Sequence, residues 1–349
     1  MPRRGAIIGF GNVAANGHWP GYAKSADFEI VAVVDPAEAR RKAALAFKKD
    51  LKVFPSIEAL AGERLDFVDI CTPPASHVEF AGTALANGWD VLCEKPLTLS
   101  AADYEILSSL VSRHAKTLFT VHNWKHAQIF QKAFELIRKG RLGRIWHTEL
   151  YVLRNSHCKG ASEGSSNGRQ PAEDWRTNKA VAGGGILVDH GWHAFYLLFN
   201  LMGVEPSAVS MSMQTGAGDL EEAARGVISF GDAEAFLKLT WRAPNRRNAA
   251  IIHGEKGVLI IDDVRIILAA GGMTEEFHFD AALSAGSHHA DWFEALLPAF
   301  REELDHPTGK NFREAGWCAA LMQASYASAA LNGKTVPVAP PELKPALPR

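Results

Sequence analysis

The chain has 349 residues, 47% of them apolar, enough for a large buried core and, at ~150 residues per domain, for about two domains. Lys and Arg number 37 against 39 Asp and Glu, and the net charge of -2 excludes a globally basic nucleic-acid binder. The longest apolar stretch, 194–204, contains Asn200 and falls short of the ~20 residues of a bilayer span. The apolar run after Met1-Pro2-Arg3-Arg4 breaks at Gly9, so neither membrane insertion nor export is expected. Cys71, Cys93, Cys158 and Cys318 form no C-x-x-C pair, as expected of reduced thiols in a cytoplasmic protein.

In chain order, short β-branched runs at 6–8, 28–34, 65–70, 91–93 and 118–121 alternate with helical patterns at 37–49, 76–87 and 101–114. Pro36, Ser76 and Ser100 stand where helices start. This alternation predicts parallel pairing with right-handed crossovers, hence an α/β domain, a Rossmann doubly wound parallel sheet, over 1–122. From 123 to 349 the rhythm changes. Strands are expected at 143–153, 208–214, 226–230, 235–241, 249–253, 258–261 and 264–268, several joined by tight turns, with helices near 128–139, 186–202, 290–304 and 313–331. That describes an α+β domain with an open, mainly antiparallel sheet. Segment 155–182, rich in Gly, Ser and Asn, is too long for an ordinary connection and reads as a functional or disordered loop. The Pro-rich tail, 336–349, reads as an extended arm.

Gly9-Phe10-Gly11-Asn12-Val13-Ala14 fits G-x-G-x-x-A between a strand and a helix. The first Gly permits a tight turn, the second lets backbone N–H groups approach a pyrophosphate, and the small third residue allows close packing. Such turns also arise for packing alone. Asp35 ends the second strand ~20 residues later, where a carboxylate can accept both ribose hydroxyls of NAD, or simply open a turn before Pro36. Its charge disfavours the 2′-phosphate of NADP, although Arg40 and Arg41 leave NADP open.

Glu94-Lys95-Pro96 follows the strand at 91–93, at the edge where open α/β sheets bind ligands. Lys95 could donate to a substrate oxygen or pair with Glu94 on the surface. Three glycines, 183–185, precede Ile186-Leu187-Val188-Asp189-His190-Gly191-Trp192-His193. Asp189 and His193, at i and i+4, share a helix face. An Asp beside a His orients it and stabilises its protonated form, and a histidine suits proton removal from an alcohol near neutral pH. A purely structural pair has the same spacing. The pairs His122/His126, His190/His193 and His288/His289 lack an acid or cysteine at ligand spacing, so no metal is expected.

These pieces together resemble the glucose–fructose oxidoreductase/inositol dehydrogenase (Gfo/Idh/MocA) family over essentially the whole chain. They are Gly9-x-Gly11-x-x-Ala14, His18-Trp19-Pro20, Asp35, Cys71-Thr72-Pro73-Pro74 with His77, Glu94-Lys95-Pro96, Asn123, Trp175-Arg176 and Gly183–His193. The resemblance implies a Rossmann domain followed by an α/β domain whose sheet mediates homodimer or homotetramer contacts. It implies Lys95, Asp189 and His193 as catalytic residues, with Gly9, Gly11, Asn12, Val13, Asp35, Thr72, Pro73, His77, Glu94 and Lys95 along the cofactor. Asn123 would contact substrate. Where the family often has Arg and a nearby Pro after that Asn, Lys125 and Ala127 stand here. Arg154, Trp175 and Arg176, with His157 and Lys159, gather around the long loop and could recognise hydroxyls, carboxylate or phosphate, or be solvated loop charges.

The expected function is an NAD(P)-dependent dehydrogenase of a secondary alcohol in a sugar, polyol or sugar derivative. His193 would be the general base, Lys95 the donor to the developing alkoxide, and Asp189 the group that steadies His193. A lyase or glycosidase that uses tightly bound NAD transiently, and a non-catalytic NAD(P)-binding protein, are the alternatives. No nucleic-acid or membrane partner is expected.

Overall fold

The computed structural model describes residues 1–155, 175, 178–216 and 219–342. Two units result, one built from Met1–His126 and Gly286–Gly316, the other from Ala127–Ala285 and Trp317–Pro340. Among the described residues no helix is long and apolar enough to cross a membrane.

In the first unit β1 (Arg3–Ile8), β2 (Phe28–Val34), β3 (Lys52–Phe54), β4 (Phe67–Ile70), β5 (Asp90–Cys93) and β6 (Leu118–Thr120) form a six-stranded sheet in the order β3-β2-β1-β4-β5-β6. Every pairing is parallel. The strands are joined through α1 (Trp19–Lys24), α2 (Glu38–Phe47), α3 (His77–Ala86) and α4 (Ala101–His114). The apolar strands are apolar because both sheet faces are covered: all four residues of β4 are buried. Ser100 caps α4 by accepting the Asp103 N–H at 3.0 Å. Ser76 does not cap α3; its hydroxyl turns back, 2.8 Å from both Thr72 Oγ1 and the Pro73 carbonyl. The sequence reading missed β3, a half-exposed edge strand of three residues.

The expected boundary at 122/123 needs a correction. Segment Gly286–Gly316, assigned from sequence to the second domain, belongs to the first unit. Its helix α8 (Ala290–Asp305) buries Phe293, Leu296, Leu297 and Phe300 in the core that also holds Phe28 and Phe67. Phe300 stacks on Phe28 with ring centroids 5.3 Å apart. An amphipathic helix reads alike whichever core it covers, and here the aromatic face of the parallel sheet takes it.

In the second unit β7 (Ile145–Asn155), β8 (Ala208–Thr215), β9 (Glu221–Phe230), β10 (Ala233–Thr240), β11 (Arg242–Gly254), β12 (Gly257–Asp262), β13 (Arg265–Ala270), β14 (Met273–His278) and β15 (Val336–Pro337) form a nine-stranded sheet, β14-β13-β12-β11-β7-β10-β9-β8-β15. All pairs are antiparallel except β10 with β7. Along β7 every second residue, Thr148, Leu150, Val152 and Arg154, is buried, the period of a sheet covered on one face. Helices α5 (Gln128–Arg138) and α7 (Trp192–Met202), the latter following the short α6 (Lys179–Ala182), lie against that sheet. The described part of the tail begins as β15 on β8 rather than as a free arm.

Candidate active site

The parallel sheet of the first unit brings five of the sequence-selected segments to one edge. The carboxyl ends of β1, β2, β4, β5 and β6 lead into Gly9–Val13, Asp35, Thr72–His77, Glu94–Lys95 and Asn123. Sequence positions up to 114 apart thus become neighbours along one rim, the edge at which open parallel sheets hold ligands.

At β1 the chain turns through Gly9, whose φ of +87° favours glycine. A Cβ there would stand 2.8 Å from Thr72 Cγ2 and 3.2 Å from the Cys71 carbonyl oxygen. Among the described residues, a Cβ on Gly11 would meet only the Arg40 guanidinium, at 3.9 Å, so the turn is open where a pyrophosphate would lie. Asn12 is exposed and Val13 half-buried at the start of the following helix, whose N-terminal N–H groups carry partial positive charge. Asp35 is 1% exposed. Its carboxylate accepts the Phe10 N–H at 2.9 Å and the Ala37 N–H at 2.8 Å, with Arg40 Nη1 at 3.5 Å from Oδ2. It therefore ties the glycine turn to the end of β2 and retains acceptor capacity for a hydroxyl. These features fit a dinucleotide: a cradle that a Cβ would fill, and a fixed carboxylate one strand away.

Lys95 follows Glu94 at the end of β5, and its peptide bond to Pro96 is cis. Two buried histidines grip the segment. His77 points Nδ1 at the Pro96 carbonyl (2.8 Å) and Nε2 at the Thr72 carbonyl (2.9 Å). Its ring is buried, so its contribution is to bind the β4 loop to the Lys95 turn. His18, which sequence reading matched only as part of a motif, lies between Asp69 and Glu94. The i,i+4 logic could not find it, because its partners are 51 and 76 residues away on other strands. At β6, Asn123 Oδ1 is buried with no hydrogen-bond partner among the described residues, an acceptor suited to a ligand hydroxyl. Nearby Glu314 receives Lys125 Nζ at 2.7 Å and faces His122 Nδ1 at 2.6 Å. Burial opposes ionisation of Glu314, but Lys125 and His122 outweigh it and hold the carboxyl well below its usual range.

In the second unit, residues 187–191 form a π-turn leading into α7, a feature often found at functional positions. The preceding glycines serve close packing: a Cβ on Gly185 would lie 2.1 Å from the Glu221 carbonyl oxygen on β9. Glu221 in return accepts the Gly185 and Leu187 N–H groups at 2.7 and 3.2 Å, capping the turn. His193 is buried, its Nδ1 2.7 Å from the Tyr196 hydroxyl. The Asp189 carboxylate stands 3.1 Å from His190 Nδ1. Tyr196, one helical turn on, thus meets the His193 ring at Nδ1.

Arg154, expected to recognise substrate from the loop, is 6% exposed. Its guanidinium donates to His190 Nε2 (3.1 Å), the Leu153 carbonyl (2.8 Å) and Asn248 Oδ1 (2.9 Å), and burial lowers its pKa to about 10. It braces His190 and Asn248 from behind. Since Arg154 only donates, His190 Nε2 accepts, and the neutral ring carries its proton on Nδ1. Trp175 is half-buried. Arg176, His157 and Lys159 lie outside the described residues.

The model of an oxidoreductase family with an NAD-binding Rossmann fold matches residues 3–122, and the GFO/IDH/MocA C-terminal domain matches residues 130–260. The chain is similar to a putative UDP-kanosamine synthase oxidoreductase subunit of Amycolatopsis mediterranei (strain S699), 28% identical over 280 residues, 73% of either chain. It is also similar to a D-glucoside 3-dehydrogenase of Escherichia coli (strain K12), 30% identical over 204 residues, 56% of this chain and 54% of that one. Among solved structures, GenD2 from gentamicin A biosynthesis in complex with NAD superposes with a TM-score of 0.78 at 25% identity, covering 97% of this chain and 96% of that one.

Proposed function

This chain belongs to the Gfo/Idh/MocA family of NAD-binding oxidoreductases, and on that premise we propose that it oxidises a secondary alcohol of a sugar, polyol or sugar derivative. The observation that carries this reading is the shared rim: the glycine turn, Asp35, Lys95 and the orphaned Asn123 acceptor all stand at the carboxyl ends of one parallel sheet. The similarity to a D-glucoside 3-dehydrogenase supports a sugar hydroxyl as the reacting group.

Gly9–Val13 and Asp35 hold the dinucleotide, which when bound supplies the hydride acceptor. Thr72, Pro73 and Glu94 line its nicotinamide side. Lys95 donates a hydrogen bond to the substrate oxygen as negative charge develops there. His193 takes the hydroxyl proton at Nε2. That assignment requires the tautomer with Nδ1–H donated to the Tyr196 oxygen, because a proton on Nε2 would abolish its basicity. Asp189, whose carboxylate stands beside His190, adds negative charge that favours a cationic neighbour. In the same reading a second copy of the chain pairs through the sheet of the second unit, where Trp146 is exposed.

A sugar and polyol panel with NAD, followed by NADH absorbance, tests the proposal. Sustained NADH formation with at least one substrate supports it. Product without NADH accumulation, with cofactor retained on the purified protein, would replace it by a transient-redox lyase or glycosidase.

A further inference from the structure

We propose that His18 is a positioning residue: a buried imidazolium clasp that joins Asp69 to Glu94 and so fixes the backbone from which Lys95 projects. The inference rests on the reading of Lys95 as part of the reaction site. His18 is 2% exposed, at the end of a π-turn spanning Ala14–His18. Its Nδ1 lies 2.7 Å from Asp69 Oδ2 and its Nε2 3.0 Å from Glu94 Oε1. Only the doubly protonated ring can donate to both carboxylates at once; a neutral ring would set a lone pair against one of them.

Every element packed against the ring supports that state. From α1, the Tyr22 hydroxyl donates to the same Asp69 oxygen at 3.0 Å. From the end of β4, Cys71 Sγ lies 3.3 Å from Nδ1, and burial beside Asp69 pushes this thiol up to about 12, so it stays neutral. From α8, Phe293 stacks on the imidazole with centroids 3.8 Å apart and adds no charge. From β5, Glu94 Oε2 accepts the backbone N–H of Lys95 at 3.0 Å. Burial alone would strip the His18 proton, but Asp69, assisted by the contact with Cys71, raises the pKa well above the ordinary value. Burial likewise opposes ionisation of Glu94, and its bond to His18 reverses the balance. One cation thus bridges two buried carboxylates, and losing it leaves buried charge unpaired.

The group His18, Asp69 and Cys71 also has the composition of a metal site. The 2.7 Å between Nδ1 and Oδ2 is a hydrogen-bond length, whereas two ligands ~2.0 Å from a tetrahedral ion stand ~3.3 Å apart. The hydrogen-bonded clasp is therefore the better reading.

Two measurements on the full chain test it. Long-range 1H–15N spectra of the histidine rings, with His18 identified by its absence in His18→Gln, should show both ring nitrogens protonated at about pH 7.5, where an ordinary imidazole is mostly neutral. A neutral tautomer at about pH 7, or a stoichiometric metal ion in the purified chain, would overturn the clasp. Second, His18→Gln leaves Glu94 without its cation, so the acidic limb of kcat should move to higher pH and kcat fall by up to ~10²-fold, with NAD affinity changed less than ~3-fold. An unmoved pH profile would also overturn it. If no substrate is turned over while His18 is an imidazolium, the clasp stands and the catalytic reading of Lys95 falls.

Discussion

Nδ1 of His193 lies 2.7 Å from the hydroxyl of Tyr196, both side chains buried on the same helix. They stand three positions apart, the spacing that stacks side chains along one helix face. In the proposed reaction this pair holds the ring proton on Nδ1. Tyr196→Phe removes the acceptor at Nδ1, so the Nδ1–H tautomer loses its preference. We expect kcat to fall about 10-fold with KM nearly unchanged, since the contact acts on proton transfer rather than on binding. Steady-state kinetics of the variant checks this; an unchanged kcat would remove Tyr196 from the proton path.

Gly9→Ala separates a backbone effect from a packing effect. At Gly9 an alanine meets both a left-handed φ and Thr72 Cγ2 at 2.8 Å. At Gly62, with φ +102°, a Cβ has nothing within 4 Å, so Gly62→Ala carries the backbone cost alone, ~1–2 kcal/mol. We expect Gly9→Ala to melt below Gly62→Ala and to weaken NAD binding, which Gly62→Ala leaves intact. Calorimetry and NAD titration of the two variants make the comparison.

Asp35→Ala frees the Phe10 and Ala37 N–H groups and removes the charge that repels a 2′-phosphate. NAD affinity should fall ~10-fold or more, and the NAD-to-NADP preference should narrow because the NADP loss is smaller. Parallel titrations with both dinucleotides read the ratio.

The pH dependence of stability has a definite sign. Burial, helped by Lys125 and His122, lowers His126 to about 4 from 6.5. The unfolded chain therefore binds a proton below pH 6.5 that the native chain refuses, and stability falls between 6.5 and about 4, by up to ~3 kcal/mol. His122 is lowered in the same direction. Glu314, held below its usual range, adds a further loss at lower pH as it is protonated. His18, raised instead, contributes fully below 6.5 and loses its contribution only as pH rises through its raised value. Urea midpoints across this range should show the slope, and His126→Phe should flatten it.

Much of this was readable before any coordinates. Parallel strand–helix alternation placed Gly9, Asp35, Thr72 and Lys95 at strand ends, because a covered sheet demands apolar strands and its turns demand glycine. Arg154 was also legible in principle: it falls in phase with Leu150 and Val152 on β7, an inward-facing register that marks it as buried. The His18 clasp was not legible, since Asp69 and Glu94 reach it only through the order of β1, β4 and β5. The return of α8 to the first unit was hidden too, because its apolar stripe names no partner.

The most direct test of the proposed chemistry is NADH formation by His193→Ala alongside NAD titration of the same protein. The account predicts turnover reduced ~10²–10⁴-fold with NAD affinity within ~2-fold of the parent, since no residue of the glycine turn is altered. Turnover equal to the parent on a substrate that the parent oxidises would contradict it.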